Sequence, residues 1–311
     1  MSAPHELATS LFMIQRILTA LVLIPLVLLL ILRAPVWALA VVAGAVALLA
    51  IREFLELVRH YDVEPFAVGT YLYVGVFFSA LAAGEMRFPL RNGAFMTLAG
   101  CFLAALAPFA FLSGGLKRER LSSVYSAAAA SVFAFAYIAV PMGMLVDIRQ
   151  QCAGNFRLIF LVLVVWSGDI LAYFVGKSMG RHKMAPRVSP KKTWEGAIAS
   201  IAASVFVGTA TFHYSRAIGL GLARIHVVKD PVLVASGAKP DFWTIILISA
   251  ALNIAAQLGD LVESAIKRGA GTKDSGSILP GHGGMLDRID ALLFAAPVMW
   301  VCYLWWRWGC F

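Results

Sequence analysis

Residues 157–175 read RLIFLVLVVWSGDILAYFV, an almost unbroken apolar run with one carboxylate, Asp169, inside it. About 17–25 residues are needed to cross the hydrocarbon core of a bilayer as a helix, so this run is long enough to span it. The whole chain agrees, because 60% of its 311 residues are hydrophobic and 14% are charged, whereas about 25% are charged in an ordinary soluble domain. The sequence therefore predicts an all-α fold, a polytopic helical membrane protein, and excludes a soluble globular domain.

Nine apolar runs can be laid out as transmembrane helices, and eight or ten would also fit the pattern. They cover approximately residues 17–32, 36–57, 66–83, 94–112, 122–146, 157–175, 197–212, 242–262 and 289–306. With this layout, 16 of the 26 Lys and Arg residues fall on the side of the N-terminus. The positive-inside rule then predicts a cytoplasmic N-terminus. It also explains the net charge of +9 better than nucleic-acid binding does, and we expect no nucleic-acid partner.

Charge is distributed unevenly between the two halves of the chain. Residues 1–150 are predicted to be N-terminal transmembrane helices, mainly scaffold and lipid-facing, and residues 151–311 a C-terminal catalytic region. Two cytoplasmic motif loops, residues 176–196 and 263–290, carry the clustered charge of that region. Residues 214–241 are predicted to be an extracytoplasmic loop.

Asp169, Asp260 and Glu263 are candidate site residues that lie within or at the end of apolar runs. Asp169 must be protonated, paired or bound to a cation at that depth, and a helix-packing ion pair is the simpler alternative. Asp260, Glu263 and Ser264 share one helix face, which Lys267 continues. The alternative for this face is an amphipathic helix end with its polar side in water.

The first motif loop ends with Ser189-Pro190-Lys191-Lys192-Thr193-Trp194-Glu195-Gly196. Lysines and hydroxyl groups that converge on one point suit the anionic oxygens of a triphosphate. Taken by itself, however, this stretch is better explained as an ordinary basic cytoplasmic loop.

The second motif loop contains SAIKR (264–268), KD (273–274) and PGHGGMLDRID (280–290). Its glycines allow the backbone to approach a bulky anion and to adopt positive φ. Asp260 and Asp287 offer the hard oxygen ligands that suit Mg²⁺, and Asp169 and Glu263 are further candidate ligands. Four basic residues could neutralise phosphate charge, namely Lys267, Arg268, Lys273 and Arg288. His282 could donate to a phosphate, shuttle a proton or pack in a turn.

These motifs resemble the signature of the phosphatidate cytidylyltransferases, or CDP-diacylglycerol synthases. The second loop follows the family pattern of Ser, two residues, Lys-Arg, four residues, Lys-Asp, then Gly and Pro before His-Gly-Gly, Asp-Arg and a final Asp. The first loop matches the pattern Ser-Pro-x-Lys-Thr-x-Glu-Gly, and Asp169 is followed by the family's Ala-Tyr and Gly. The resemblance is specific over about residues 169–290.

The resemblance implies that CMP passes from CTP to phosphatidate in phospholipid biosynthesis, with Mg²⁺ as cofactor. It implies a bacterial inner-membrane protein, embedded in the bilayer, with its motif loops in the cytoplasm and a homodimer as its assembly. Catalytic roles fall on Asp260, Asp287, Lys267 and Asp290. Substrate-binding roles fall on Ser189, Lys192, Thr193, Glu195, Ser264, Arg268, Lys273, His282, Gly283, Gly284 and Arg288.

Two other classes of function remain open from the sequence. One is a related CTP-dependent enzyme that acts on an isoprenoid lipid or its phosphate. The other is a transporter with an ion path along Asp169, Asp260 and Glu263, although transporters usually contain two related halves and we find no internal repeat. The sequence shows no nucleophile–base arrangement for a covalent intermediate, which favours direct displacement.

Overall fold

The computed structural model describes residues 23–87, 94–118, 120–151, 153–224, 226, 240–276, 278 and 283–308. Apart from one short two-stranded ribbon and a 3-10 turn, the regular structure in these ranges is helical. The helices are α1 (Leu23–Arg33), α2 (Val36–Arg59), α3 (Ala67–Arg87), α4 (Ala94–Gly115), α5 (Val124–Ala134), α6 (Val140–Gln150), α7 (Gly154–Ser178), α8 (Trp194–His213), α9 (Ser215–Arg224), α10 (Phe242–Gly269) and α11 (Leu286–Trp308).

Five helical segments in these ranges are long and apolar enough to cross a membrane. They are α2, the continuous run Leu121–Gln150, α7, α8 and α10. One turn of π-helix, Phe135–Ala139, joins α5 to α6 within that continuous run. The prediction of a helical integral membrane protein is confirmed, whereas the number of nine spans stays a prediction.

The first motif loop contains two short strands that the all-α prediction lacked. The strands β1 (Lys183–Ala185) and β2 (Ser189–Thr193) pair antiparallel, with Lys183 opposite Thr193. Only Thr193 is buried among their residues. A strand is recognised in a sequence by alternating apolar and polar residues, and a ribbon with two polar faces lacks that signal.

The predicted loop at residues 214–241 also differs from the structure, because its first part forms α9. This helix follows α8 after the single turn residue Tyr214. A helix of ten residues is too short to cross a bilayer, so a search for membrane spans does not find it.

Small residues bring α7 and α8 into close contact. A Cβ atom on Gly168 would overlap the side chain of Asn253 and lie 2.7 Å from Ser204 Oγ, and one on Gly196 would lie 2.9 Å from the carbonyl oxygen of Ala172. Small residues let helices in lipid approach closely. The four-residue spacing of Gly168 and Ala172 thus marks a helix contact, as expected.

Five helix termini meet at one end of the bundle, which we call the polar end. They are the C-terminal ends of α2, α7 and α10 and the N-terminal ends of α8 and α11. Contacts that join these segments include the hydrogen bond from Tyr61 Oη, just after α2, to the Ile266 carbonyl in α10, 2.7 Å, and the ion pair between Lys192 in β2 and Asp260 in α10. The two motif loops therefore lie side by side.

Candidate active site

Lys267 lies between two carboxylates at the polar end. Its Nζ atom is 2.6 Å from Glu263 Oε2 and 2.5 Å from Asp287 Oδ1. Glu263 is one helical turn before Lys267 on α10, so the predicted shared face is confirmed. The side chains of Lys267, Glu263 and Asp287 are 11%, 0% and 9% exposed, respectively. This is a buried charge cluster, which is stable only when its members are paired.

The second motif loop wraps around the carboxylate of Asp287. Asp287 Oδ2 accepts hydrogen bonds from Ser275 N at 3.1 Å, Ser275 Oγ at 3.0 Å and Gly284 N at 2.8 Å. Gly283 adopts φ +79°, and a Cβ atom there would lie 2.6 Å from Asp287 Oδ2. Both the positive φ and the close approach therefore require glycine at this position.

The first motif loop joins the cluster through Lys192 and Asp260. Lys192 Nζ lies 2.6 Å from Asp260 Oδ2, and Ser264 Oγ donates to Asp260 Oδ1 at 3.3 Å. Arg268 Nε donates to the carbonyl oxygen of Val188 at 3.3 Å, which ties the end of α10 to the ribbon. These contacts bring together predicted residues from both loops. The Lys192 and Asp260 side chains are 25% and 41% exposed, so this pair can meet solvent and substrate.

Asp169 and Asp290 extend the acidic surface toward the middle of the bundle. Each lies close enough to Asp260 for electrostatic repulsion. Asp169 is nine positions before the last residue of α7, Ser178, and Asp260 is nine positions before the last residue of α10, Gly269. At 1.5 Å per residue, both carboxylates are about 13 Å below the helix ends. The polar residues thus form a cleft that begins at the loops and reaches into the apolar bundle.

The cleft contains more carboxylates than its lysines can neutralise. The five carboxylates are those of Asp169, Asp260, Glu263, Asp287 and Asp290, and Lys192 and Lys267 form ion pairs with three of them in the described part of the chain. Glu263 Oε1 is buried and accepts no hydrogen bond from the residues that the structure describes. A buried carboxyl oxygen in this state belongs to a protonated group or to one that can bind a cation.

The same residues fit Mg²⁺ only when substrate completes its coordination. Within the ranges that the structure describes, no three His, Cys, Asp or Glu side chains are placed to hold a metal together. Mg²⁺, however, commonly takes one or two protein carboxylates and fills its other positions with phosphate oxygens and water. The donor set is therefore compatible with a metal that binds together with a nucleotide.

Several predicted substrate-binding residues form contacts within the protein. Thr193 Oγ1 caps α8 by accepting from Gly196 N at 3.2 Å. Glu195 accepts from His182 N at 3.1 Å, and His182 Nδ1 lies 2.6 Å from Glu195 Oε1. Arg268 also donates to the Thr272 carbonyl at 2.9 Å. Substrate contacts of Thr193, Glu195 and Arg268 stay predictions.

The remaining predicted residues differ in position. Lys273 and Arg288 are exposed at the polar end, and Ser189 is half-buried at the start of β2. Gly284 donates its N–H to Asp287, as described above. His282 lies outside the described residues.

One site residue was not found from the sequence. Glu53 on α2 is 1% exposed, and its carboxylate accepts from Met285 N at 2.9 Å, Leu286 N at 2.8 Å and Ser275 Oγ at 3.0 Å. Its position could have indicated this role, because Glu53 lies on the same helix face as the buried residues Ala50 and Leu57. From the sequence alone, Glu53 is only one of the charged residues within the predicted span at residues 36–57.

Comparisons with known proteins identify the family of this chain. Residues 14–306 match the sequence profile of the cytidylyltransferase family. The phosphatidate cytidylyltransferase of Brucella abortus (strain 2308) is 44% identical over 149 residues, which are 48% of this chain and 47% of that protein. Those of Staphylococcus saprophyticus and Staphylococcus aureus (strain COL) are 36% and 35% identical over 184 residues, which are 59% of this chain and 61% of each relative. The alignments thus span about half to three fifths of these relatives. Because the family profile covers nearly the whole chain, this protein belongs to the cytidylyltransferase family.

Proposed function

We propose that this protein transfers CMP from CTP to phosphatidate and releases pyrophosphate. A phosphate oxygen of phosphatidate attacks the α-phosphorus of CTP and forms the new P–O bond. The bond between the α-phosphorus and the oxygen that bridges to the β-phosphate breaks, and pyrophosphate leaves with that electron pair. The products are CDP-diacylglycerol and pyrophosphate.

The observation that carries this proposal is the polar cleft inside an apolar bundle. A water-soluble nucleotide and a membrane lipid can react only where polar groups reach the depth of the lipid phosphate. Asp169 and Asp260, about 13 Å from the helix ends along the helix axes, extend the cleft between the apolar helices. The names of the relatives support the choice of CTP and phosphatidate.

The two lysines hold the positions at which the reaction needs positive charge. Lys192 and Lys267 are kept in place by carboxylates in the free protein. On nucleotide binding, we expect phosphate oxygens to replace these carboxylates as partners of the lysines. The lysines then neutralise charge that develops on the leaving pyrophosphate, as cationic clamps do in phosphoryl transfer.

No side chain is needed to deprotonate the attacking group. A phosphate monoester has its second pKa near 6, so its oxygens are already anionic at neutral pH. What the protein must supply is alignment of the two substrates and neutralisation of charge. This requirement agrees with the sequence, which contains no nucleophile–base pair.

Mg²⁺ is the proposed cofactor, with Asp260 and Asp287 as its protein ligands and Asp169 and Glu263 as further candidates. When bound, it would polarise phosphate oxygens and neutralise the leaving group. The surplus of carboxylates and the unpartnered Glu263 Oε1 support a cation in this cleft.

The proposal includes the setting of the protein. We propose about nine spans, a homodimer in the bacterial inner membrane, and a polar end that faces the cytoplasm, where CTP is found. The charge count supports this orientation.

Purified protein, labelled CTP and Mg²⁺ with a panel of lipid phosphates provide the test. We expect labelled CDP-diacylglycerol with phosphatidate, pyrophosphate in equal amount, and no product with polyprenyl phosphate or free polyprenol. Product with an isoprenoid lipid alone would favour the related CTP-dependent enzymes. No nucleotide turnover with any lipid would contradict the proposal.

A further inference from the structure

Glu53 lies at the start of α11 without being part of either motif loop. Its two oxygens accept the N–H groups of Met285 and Leu286. These N–H groups precede or begin the helix and therefore have no carbonyl partner within it. A carboxylate at this position also interacts favourably with the positive end of the helix dipole. Glu53 thus fixes where α11, and with it Asp287, begins.

The glycines of the second motif loop make room for this carboxylate. A Cβ atom on Gly276 would lie 2.6 Å from Glu53 Oε1. One on Gly284 would overlap both Glu53 Oε2 and Ser275 Oγ. The loop backbone therefore packs directly against Glu53, and two of its glycines are required by a residue more than 200 positions earlier.

Ser275 connects Glu53 to Asp287. Its Oγ atom lies 3.0 Å from Glu53 Oε2 and 3.0 Å from Asp287 Oδ2. A hydroxyl group has one hydrogen, so it donates to one of these carboxylates at a time. Both carboxylates therefore contact the same hydroxyl group, so moving one of them alters the hydrogen bond of the other.

We propose that Glu53 is a positioning residue that holds Asp287 in its reactive orientation through Ser275 and the first residues of α11. This inference deepens the proposed function and rests on it. The turn that directly follows α2, the helix that carries Glu53, also contacts the end of α10, because Tyr61 Oη donates to the Ile266 carbonyl. The helix α2 thereby links the N-terminal region to both helices that hold the buried Lys267 cluster.

The test uses Glu53→Gln in the purified full-length protein. Glutamine keeps the shape of glutamate but replaces one acceptor oxygen by an NH₂ group, which cannot accept the hydrogen bonds made there. Partners of metal ligands typically contribute 10–100-fold to activity or metal affinity, so we expect turnover to fall by about that factor. The apparent KM for CTP should stay within about threefold, because Glu53 contacts none of the proposed CTP-binding side chains.

Hydrogen exchange gives a second measurement that does not depend on the reaction. In Glu53→Gln, the amides of residues 284–290 should exchange faster, while those of α7 and α8 should be unchanged. Asp147→Asn is the matched control. Asp147 is also a buried carboxylate, and it accepts from Trp300 Nε1 at 2.7 Å and Gln151 Nε2 at 3.2 Å far from the polar end.

The two variants separate positioning from general stability. The inference is supported if Glu53→Gln loses turnover and its amides exchange faster only in residues 284–290, while Asp147→Asn keeps its turnover. Near-normal turnover in Glu53→Gln, or an equal loss in both variants with exchange raised throughout the bundle, overturns it. If the wild-type protein makes no CDP-diacylglycerol, the proposed function fails, and the exchange of residues 284–290 still decides whether Glu53 holds this segment.

Discussion

Replacing Lys267 by alanine should lower the thermal stability of the protein as well as inactivate it. The change leaves Glu263 at 0% exposure and Asp287 at 9% without their shared counter-charge. Removing one partner of a buried ion pair typically costs about 3–5 kcal/mol. A shift of this size lowers the midpoint of thermal unfolding by on the order of 10 °C. Intrinsic fluorescence of the detergent-solubilised protein during heating measures it.

Lys192→Ala is the matched control, because Lys192 also forms a close ion pair with a carboxylate. The Lys192 side chain is 25% exposed and that of its partner, Asp260, is 41% exposed, and exposed pairs contribute about 0–1 kcal/mol. Both lysine variants should lose turnover, but only Lys267→Ala should lose much stability. Adding Glu263→Gln to Lys267→Ala removes one uncompensated buried charge and should restore part of the stability without restoring turnover.

Two results would refute this reasoning. One is a Lys267→Ala protein that unfolds within about 2 °C of the wild type, which corresponds to a loss below about 1 kcal/mol. The other is equal destabilisation in Lys192→Ala and Lys267→Ala. Either result would mean that burial of the charge cluster does not determine its contribution to stability.

Three further predictions concern the metal, the loop and the topology. Asp260→Asn or Asp287→Asn should lower turnover by orders of magnitude while the protein still inserts, because metal-assisted charge stabilisation supplies several kcal/mol; near-normal turnover at saturating Mg²⁺ would contradict the ligand assignment. Gly283→Ala should lower turnover and thermal stability together, because its φ of +79° strains any side chain and a Cβ atom would press against Asp287. Unchanged turnover and stability would contradict the requirement for glycine at this position. The topology can be tested with single cysteines at the exposed positions Ser178 and Ala217, in a background without the four native cysteines. In intact cells, their reactivity with a membrane-impermeant thiol reagent should differ. Ala217→Cys should react and Ser178→Cys should react only after the membrane is opened, and the reverse pattern would invert the topology.

Buried Ser275 is unsuitable for such labelling, although it lies in a motif loop. Its side chain is 5% exposed and bridges Glu53 and Asp287. A cysteine there would disturb the site and react slowly on either side of the membrane. The contacts of a loop residue therefore determine which experiments can use it.

The sequence by itself determined the membrane class and the contacts within single helices. Apolar runs of sufficient length predict spans because backbone polar groups in lipid must be satisfied inside a helix. The pairs Glu263–Lys267 and Asp260–Ser264 follow from four-residue spacing, which places side chains on one face whatever surrounds them. The ribbon in the first motif loop escaped prediction because both of its faces are polar.

Only the tertiary structure decided which charges meet across the bundle. Lys192 could have paired with any carboxylate at the polar end, and the packing of α7, α8 and α10 placed it beside Asp260. Glu53 and Leu286 are separated by 233 positions, and no local pattern relates residues that far apart. Their contact exists because α2 packs against α11 and because glycines leave room for a carboxylate there. Periodicity along a helix specifies which face a residue occupies, while the neighbour of that face is chosen by the packing of the whole bundle.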